Sequence, residues 1–133
     1  MASLHKDIPL DAHPDDVWSA VRDFGALHTR LVPGFVTDTQ LDGDARIVTF
    51  ANGSVAREQL VDCDETRRRL VYAIANDRMS HYSASVQVFS DGDARSRLVW
   101  TVDLLPHEIA PYVDGQMNEA ALAMRKTFKR DAA

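Results

Sequence analysis

The sequence has few of the features that mark exported, disulfide-bonded or membrane proteins. It contains one cysteine, Cys63, which excludes an internal disulfide and agrees with a reducing compartment. No apolar run approaches the roughly 20 residues of a membrane-spanning helix. The first residues lack the basic and apolar pattern of a secretory signal. The absence of these features predicts a cytoplasmic protein without a membrane span.

Positive charge is also scarce. The chain has 15 Lys and Arg against 20 Asp and Glu, a formal net charge of -5. Apart from Arg67, Arg68 and Arg69, the basic residues are scattered, so a nucleic-acid partner is not expected. The 5 histidines show no zinc-site spacing, and glycine-rich nucleotide motifs are missing. We therefore predict no metal site and no cofactor.

The length and composition are those of an ordinary globular chain. The 133 residues are 45% hydrophobic, which predicts a single domain over residues 1–133. SLHKDIPL (3–10) has the pattern of a first strand, and turn residues then divide residues 35–105 into extended pieces. The pieces are FVTDTQL (35–41), ARIVTF (45–50), SVAREQLVD (54–62), RLVYAIA (69–75), YSASVQVF (82–89) and SRLVWTVDLL (96–105).

Helical patterns occur after the first strand and at the end of the chain. Pro14 followed by two acids predicts a helix start, and Gly25 is expected to end this helix. Residues 109–128 carry apolar side chains every three or four positions, which predicts one long amphipathic helix. The expected fold is α+β: a curved seven-stranded antiparallel sheet around the C-terminal helix, with two short helices between strands 1 and 2. A filled core and an internal cavity are both compatible with this packing.

Several segments carry a resemblance that covers nearly the whole chain. They are PDDVWSAVRDF, GDARIVTF, REQLVDCDE, RLVYAIA, HYSASVQV and RLVWTVDLLP. In order and spacing they resemble the START-like or Bet v 1-like helix-grip superfamily (SRPBCC), in its polyketide cyclase/dehydrase and lipid-transport branch. This resemblance implies an internal pocket entered between residues 25–36, 50–54 and 76–81.

Strand alternation gives a set of inward-facing residues. It predicts Tyr72, Tyr82 and Trp100 on the face toward the helix. Their apolar bodies and polar tips suit either a ligand pocket or an ordinary core. The resemblance implies that Arg46 and Glu58 also face inward, either as a structural ion pair or as a polar pair that meets a ligand.

Three functional hypotheses follow. The first is binding of a small hydrophobic or aromatic molecule by a monomer or homodimer. The second is a polyketide cyclase or dehydratase in which Glu58 is the base, Tyr82 stabilises an oxyanion and Arg46 supplies positive charge. The third is a protein-interaction module of the coenzyme Q-binding or ribosome-directed toxin type. The candidate ligand-binding residues are Phe24, His28, Phe50, Tyr72, Met79, Tyr82, Trp100, Met117, Ala121 and Met124.

Overall fold

A computed structural model, which describes residues 2–129, contains a seven-stranded antiparallel sheet. The strands run in the order β1-β7-β6-β5-β4-β3-β2, so β1 and β2 form the two edges. The predicted sheet is confirmed, and its strand bounds differ from the sequence prediction only at the ends. The strands are β1 (Ala2–Leu10), β2 (Val36–Asp42), β3 (Ala45–Phe50), β4 (Val55–Asp64), β5 (Arg69–Ile74), β6 (His81–Ser90) and β7 (Ser96–Leu105).

The helices also follow the predicted order. α1 is Pro14–Arg22 and α2 is Ala110–Thr127, with 3-10 turns at Phe24–Ala26 and His107–Ile109 and a π-helical turn at Leu27–Leu31. The sheet curves around α2, as the helix-grip prediction required. Within residues 2–129, no helix is long and apolar enough to cross a membrane.

The prediction that Gly25 ends α1 is wrong. The helix ends at Arg22, and Gly25 lies inside the following 3-10 turn. That turn is closed by a hydrogen bond from the Ala26 N–H to the Asp23 carbonyl at 3.0 Å. A Cβ atom on Gly25 would lie 3.0 Å from Leu41 Cγ, so a glycine here permits the turn to approach β2.

α1 is attached to the sheet by a contact between distant segments. Trp18 is 5% exposed, and its Nε1 donates a hydrogen bond of 2.8 Å to Oε2 of Glu65, just beyond β4. Arg22 Nε donates to the other oxygen of Glu65 at 2.8 Å. The hydrogen bond from Trp18, followed by that from Arg22, holds the pKa of Glu65 below its ordinary value, although burial opposes this. Trp18 therefore has a structural role.

β4 contains an irregularity that simple alternation does not show. Its register with β5 shifts between Leu60 and Asp62, which is the signature of a β-bulge. Beyond the shift, Cys63 pairs with Leu70 and lies half-buried against the core. Burial, and then the nearby Glu65 carboxylate, raise the pKa of the Cys63 thiol. The thiol is therefore less ionised than a free cysteine, which agrees with a packing role for this half-buried side chain.

Candidate functional site

A cavity of about 370 Å3 lies between the concave face of the sheet and α2. Small-molecule sites in proteins span about 300 to 1,000 Å3 and are mostly apolar, so this cavity is at the small end of that range. Strands β3 to β7 supply its walls, and α2 covers it. Most of the residues predicted to meet a ligand line this cavity: Arg46, Phe50, Glu58, Tyr72, Met79, Tyr82, Trp100, Met117 and Met124.

Three of the predicted residues do not line it. Phe24 lies behind the wall, with its ring centroid 4.1 Å from the Arg46 guanidinium carbon. His28 is on the Leu27–Leu31 turn, and its Nδ1 is buried without a hydrogen-bond partner within residues 2–129. Ala121 is buried in the core, while its neighbour Ala120 contacts the cavity. On α2 the prediction therefore differs from the structure only at the alanine, since Met117 and Met124 line the cavity.

The mouth of the cavity involves the three predicted segments. The turn after β5 supplies Arg78 and Met79. The Asn76 side chain shapes that turn by accepting hydrogen bonds of 2.9 Å from the backbone N–H groups of both residues. On the opposite side, Phe35 packs edge-to-face on Phe50, with ring centroids 5.5 Å apart.

Sequence reasoning had not singled out Phe35 or Gln116 as cavity residues. Both also line an outer groove of about 720 Å3 beside the mouth, as does Phe50. The groove has exposed charged residues of α2, such as Lys126 and Glu119, along one side. It lies on the outer surface, whereas the smaller space lies between the sheet and α2. In the sequence, Phe35 stood out only as the first residue of the predicted second strand, 35–41.

Arg46 and Glu58 form a buried ion pair on the cavity wall. They are direct neighbours across β3 and β4, and each is 5% exposed. Arg46 Nε donates to Glu58 Oε1 at 2.8 Å, and Nη2 lies 2.7 Å from the same oxygen. The guanidinium group also lies 4.1 Å from the Phe24 ring and 5.2 Å from the Tyr72 ring. The pair is both a structural link between strands and part of the cavity lining.

The pairing of these two groups leaves one carboxylate oxygen free. Both short contacts from Arg46 end on Oε1, and no hydrogen bond from residues 2–129 reaches Oε2 of Glu58. Because Glu58 lines the cavity, Oε2 is an acceptor that a bound molecule could use. A carboxylate oxygen that faces the cavity without a protein donor is a candidate binding group.

Three aromatic side chains bring further polar atoms to the same space. The rings of Tyr72 and Tyr82 are 6.4 Å apart. Burial, followed by the Glu58 charge, raises the pKa of Tyr82; burial likewise raises that of Tyr72. Both hydroxyls therefore remain protonated at neutral pH. Trp100 is 8% exposed, and its Nε1 makes no hydrogen bond of standard geometry within residues 2–129. Trp100 is nevertheless close enough to the Tyr72 hydroxyl to oppose the rise in the pKa of that hydroxyl.

The model of the family "Polyketide cyclase / dehydrase and lipid transport" matches residues 1–133. The chain belongs to this family. A comparison with curated proteins gave no match. Membership in the polyketide cyclase / dehydrase and lipid transport family agrees with the helix-grip architecture and with the resemblance noted in the sequence.

Solved structures similar to this family member confirm the fold. The Bacillus cereus protein XoxI is 20% identical, with a TM-score of 0.85 and 96% of each chain covered. A START superfamily protein from Mycobacterium smegmatis is 12% identical, with a TM-score of 0.79 and coverage of 96% of this chain and 97% of that one. Truncated norcoclaurine synthase from Thalictrum flavum is 18% identical, with a TM-score of 0.74 and coverage of 98% of this chain and 94% of that one. At these identities the likeness extends to the fold alone.

Proposed function

We propose that the protein binds a small, largely apolar molecule in the internal cavity. The observation that carries this proposal is a mostly apolar cavity of about 370 Å3 whose lining includes a buried polar atom, Trp100 Nε1, without a hydrogen-bond partner in residues 2–129. Membership of a family described by lipid transport and polyketide chemistry supports a ligand of hydrophobic or aromatic character.

The energetics of an unfilled cavity support the same proposal. Apolar atoms that line a cavity lack the packing partners on one side that core atoms have, so they lose dispersion contacts. Large side chains such as Met117 and Trp100 lie at this cavity without filling it. A ligand would supply the missing contacts, so the folded protein is expected to gain stability when one binds.

The experiment is a thermal-shift and fluorescence titration with fused-ring aromatic and medium-chain aliphatic compounds. A compound present at 100 times its Kd should stabilise the fold by about 2.7 kcal/mol, measured as a rise in Tm. Trp100 lines the cavity and Trp18 does not, so quenching should be present in the wild type and absent in Trp100→Phe.

A cavity-filling variant provides the matched control. Ala120→Leu adds volume inside the cavity and should weaken binding, whereas Asn118→Leu makes a similar change at an exposed position on the same helix and should not. The proposal is refuted if no compound changes either Tm or fluorescence. It is also refuted if Ala120→Leu binds every positive compound as tightly as the wild type does.

One observation favours a second function, acid–base catalysis on an aromatic polyketide. The free Oε2 of Glu58 is an available proton acceptor, and protonated Tyr82 is an available donor in the same cavity. In this reaction Oε2 takes a proton from a carbon beside a carbonyl, while the Tyr82 hydroxyl hydrogen-bonds the enolate oxygen that develops. The positive charge of Arg46 lies beside Glu58. Glu58→Gln should then abolish turnover while retaining the fold, and unchanged turnover would remove Glu58 as the base.

A further inference from the structure

The charge at the Arg46–Glu58 end of the cavity is already balanced. The guanidinium and carboxylate groups are in contact at 2.7 and 2.8 Å, and each side chain is 5% exposed. The remaining polar contact of Arg46 is a long one of 3.4 Å to the Phe24 carbonyl. An anionic ligand group would meet a guanidinium whose charge Glu58 already balances, so it would gain little net attraction even if it contacted one of the remaining N–H groups of Arg46.

Among the polar atoms of the cavity lining, one acceptor and one donor have no hydrogen bond to residues 2–129. Glu58 Oε2 accepts no hydrogen bond from residues 2–129, and Trp100 Nε1 donates none to that part of the chain. A buried polar group left without a partner costs about 1 to 3 kcal/mol, which a complementary ligand recovers on binding. A hydroxyl group can donate to Oε2 and can also accept from Nε1. A carboxylate cannot donate, and its charge would repel Oε2.

We propose that this end of the cavity selects a neutral ligand carrying a hydroxyl group, an alcohol or a phenol, and discriminates against a carboxylate. Glu58 is the specificity-determining residue, with Oε2 accepting from the ligand hydroxyl and Trp100 Nε1 donating to a ligand oxygen. The inference rests on the proposed ligand-binding function and assigns the ligand class. Arg78 lies at the mouth and is exposed. If the ligand carries an acidic group, Arg78 could pair with it there, away from the Arg46–Glu58 end.

Three compounds with one ring system test the inference on the unaltered protein. Binding of 2-naphthol, 2-naphthoate and naphthalene is measured at pH 7.5 by quenching of Trp100 and by calorimetry. We expect 2-naphthol to bind at least tenfold more tightly than either of the others. Binding of all three with equal Kd, or tighter binding of 2-naphthoate, overturns the inference while leaving the proposed function intact. If none of the three compounds binds and no compound of the wider panel binds either, the inference and the proposed function are both overturned.

A reversal of selectivity separates this role from a merely structural one. Glu58→Gln removes the negative charge, keeps an amide oxygen beside Arg46 and leaves the guanidinium charge unbalanced. The variant should gain affinity for 2-naphthoate and lose its preference for 2-naphthol, a gain that general damage to the site would not produce. Glu108→Gln, the same change at an exposed position, should keep the wild-type order. An unchanged order of affinities in Glu58→Gln overturns the inference.

A second variant tests the donor without changing charge. Trp100→Phe removes Nε1 and retains an aromatic wall. By calorimetry it should lower the affinity for 2-naphthol several-fold while changing that for naphthalene much less. An equal change in both affinities contradicts the assignment of Nε1. This result and the wild-type series decide the inference even if Glu58→Gln fails to fold.

Discussion

Arg46→Met should destabilise the fold far more than the loss of a surface cation would. The substitution keeps an unbranched side chain but removes the guanidinium group that contacts Glu58 at 2.7 and 2.8 Å. Glu58, which is 5% exposed, would then remain in the wall without a cation. Removing one member of a buried ion pair costs about 3 to 5 kcal/mol, because the other charge is left unpaired.

The contact between Arg46 and Phe24 makes a smaller contribution to stability, and Arg57 provides a matched comparison. The guanidinium stacks on Phe24, and such contacts are worth about 0.5 to 1 kcal/mol at exposed sites and more when desolvated. Arg57, on the outer face of β4, contacts Asp42 at 3.4 Å, and both of these side chains are more than half exposed. Arg57→Met should therefore cost less than about 1 kcal/mol. The double variant Arg46→Met/Glu58→Leu should recover most of the stability that the single variant loses.

Urea unfolding followed by circular dichroism measures these differences, provided that the m-value stays constant across the four proteins. A loss of less than about 1 kcal/mol in Arg46→Met would refute the reasoning, because it would mean that the cavity solvates Glu58 as well as bulk water does. A double variant no more stable than Arg46→Met would likewise show that the unpaired charge is not the source of the loss.

Two further predictions concern the core and the attachment of α1. Leu98→Ala should lower the free energy of unfolding in urea by about 2 to 5 kcal/mol, because Leu98 is 0% exposed. Leu122→Ala, at a 54% exposed position, should lower it by less than about 0.5 kcal/mol. Similar losses in the two variants would contradict the difference in burial. The Trp18 hydrogen bond is the largest cause of the lowered pKa of Glu65 in the folded protein. The ionised Glu65 therefore stabilises the fold above its ordinary pKa of 4.5, and this stabilisation is lost as the pH falls through the lower folded value. Trp18→Phe should reduce that acid dependence in urea unfolding followed by circular dichroism, and an unchanged dependence would contradict the assignment.

The fold was predictable because its main elements have strong periodic signals. Alternation placed Tyr72, Tyr82 and Trp100 on the inner face, and all three line the cavity, because one side of an antiparallel sheet packs on the core while the other meets solvent. α2 was predicted from its repeated apolar residues. The charged pair was less certain, since Arg46 and Glu58 interrupt an otherwise apolar face. Their inward orientation was expected only from the family resemblance.

The features that the sequence did not predict depend on contacts between distant segments. The hydrogen bond between Trp18 and Glu65 joins residues 47 positions apart and leaves no local pattern. The position of Gly25 is explained by the approach of Leu41 rather than by a helix end. Ala120 and Ala121 are adjacent and chemically identical, so periodicity alone could not decide which of them contacts the cavity. In each case the missing information is the placement of one element against another.

The pairing of β1 with β7 has a consequence for how the chain is made. β1 is the first strand to be synthesised, yet its neighbour is the last, with Ala2 opposite Leu104 and Leu10 opposite Ser96. Until β7 leaves the ribosome, Ile8 and Leu10, each 1% exposed in the folded protein, lack the neighbouring strand against which they are buried. Non-local pairings of this kind slow folding, and strands that are still unpaired remain exposed and prone to aggregation. The sheet can be completed only after β7 has left the ribosome, so a ribosome stalled before β7 holds a nascent chain whose β1 is still unpaired.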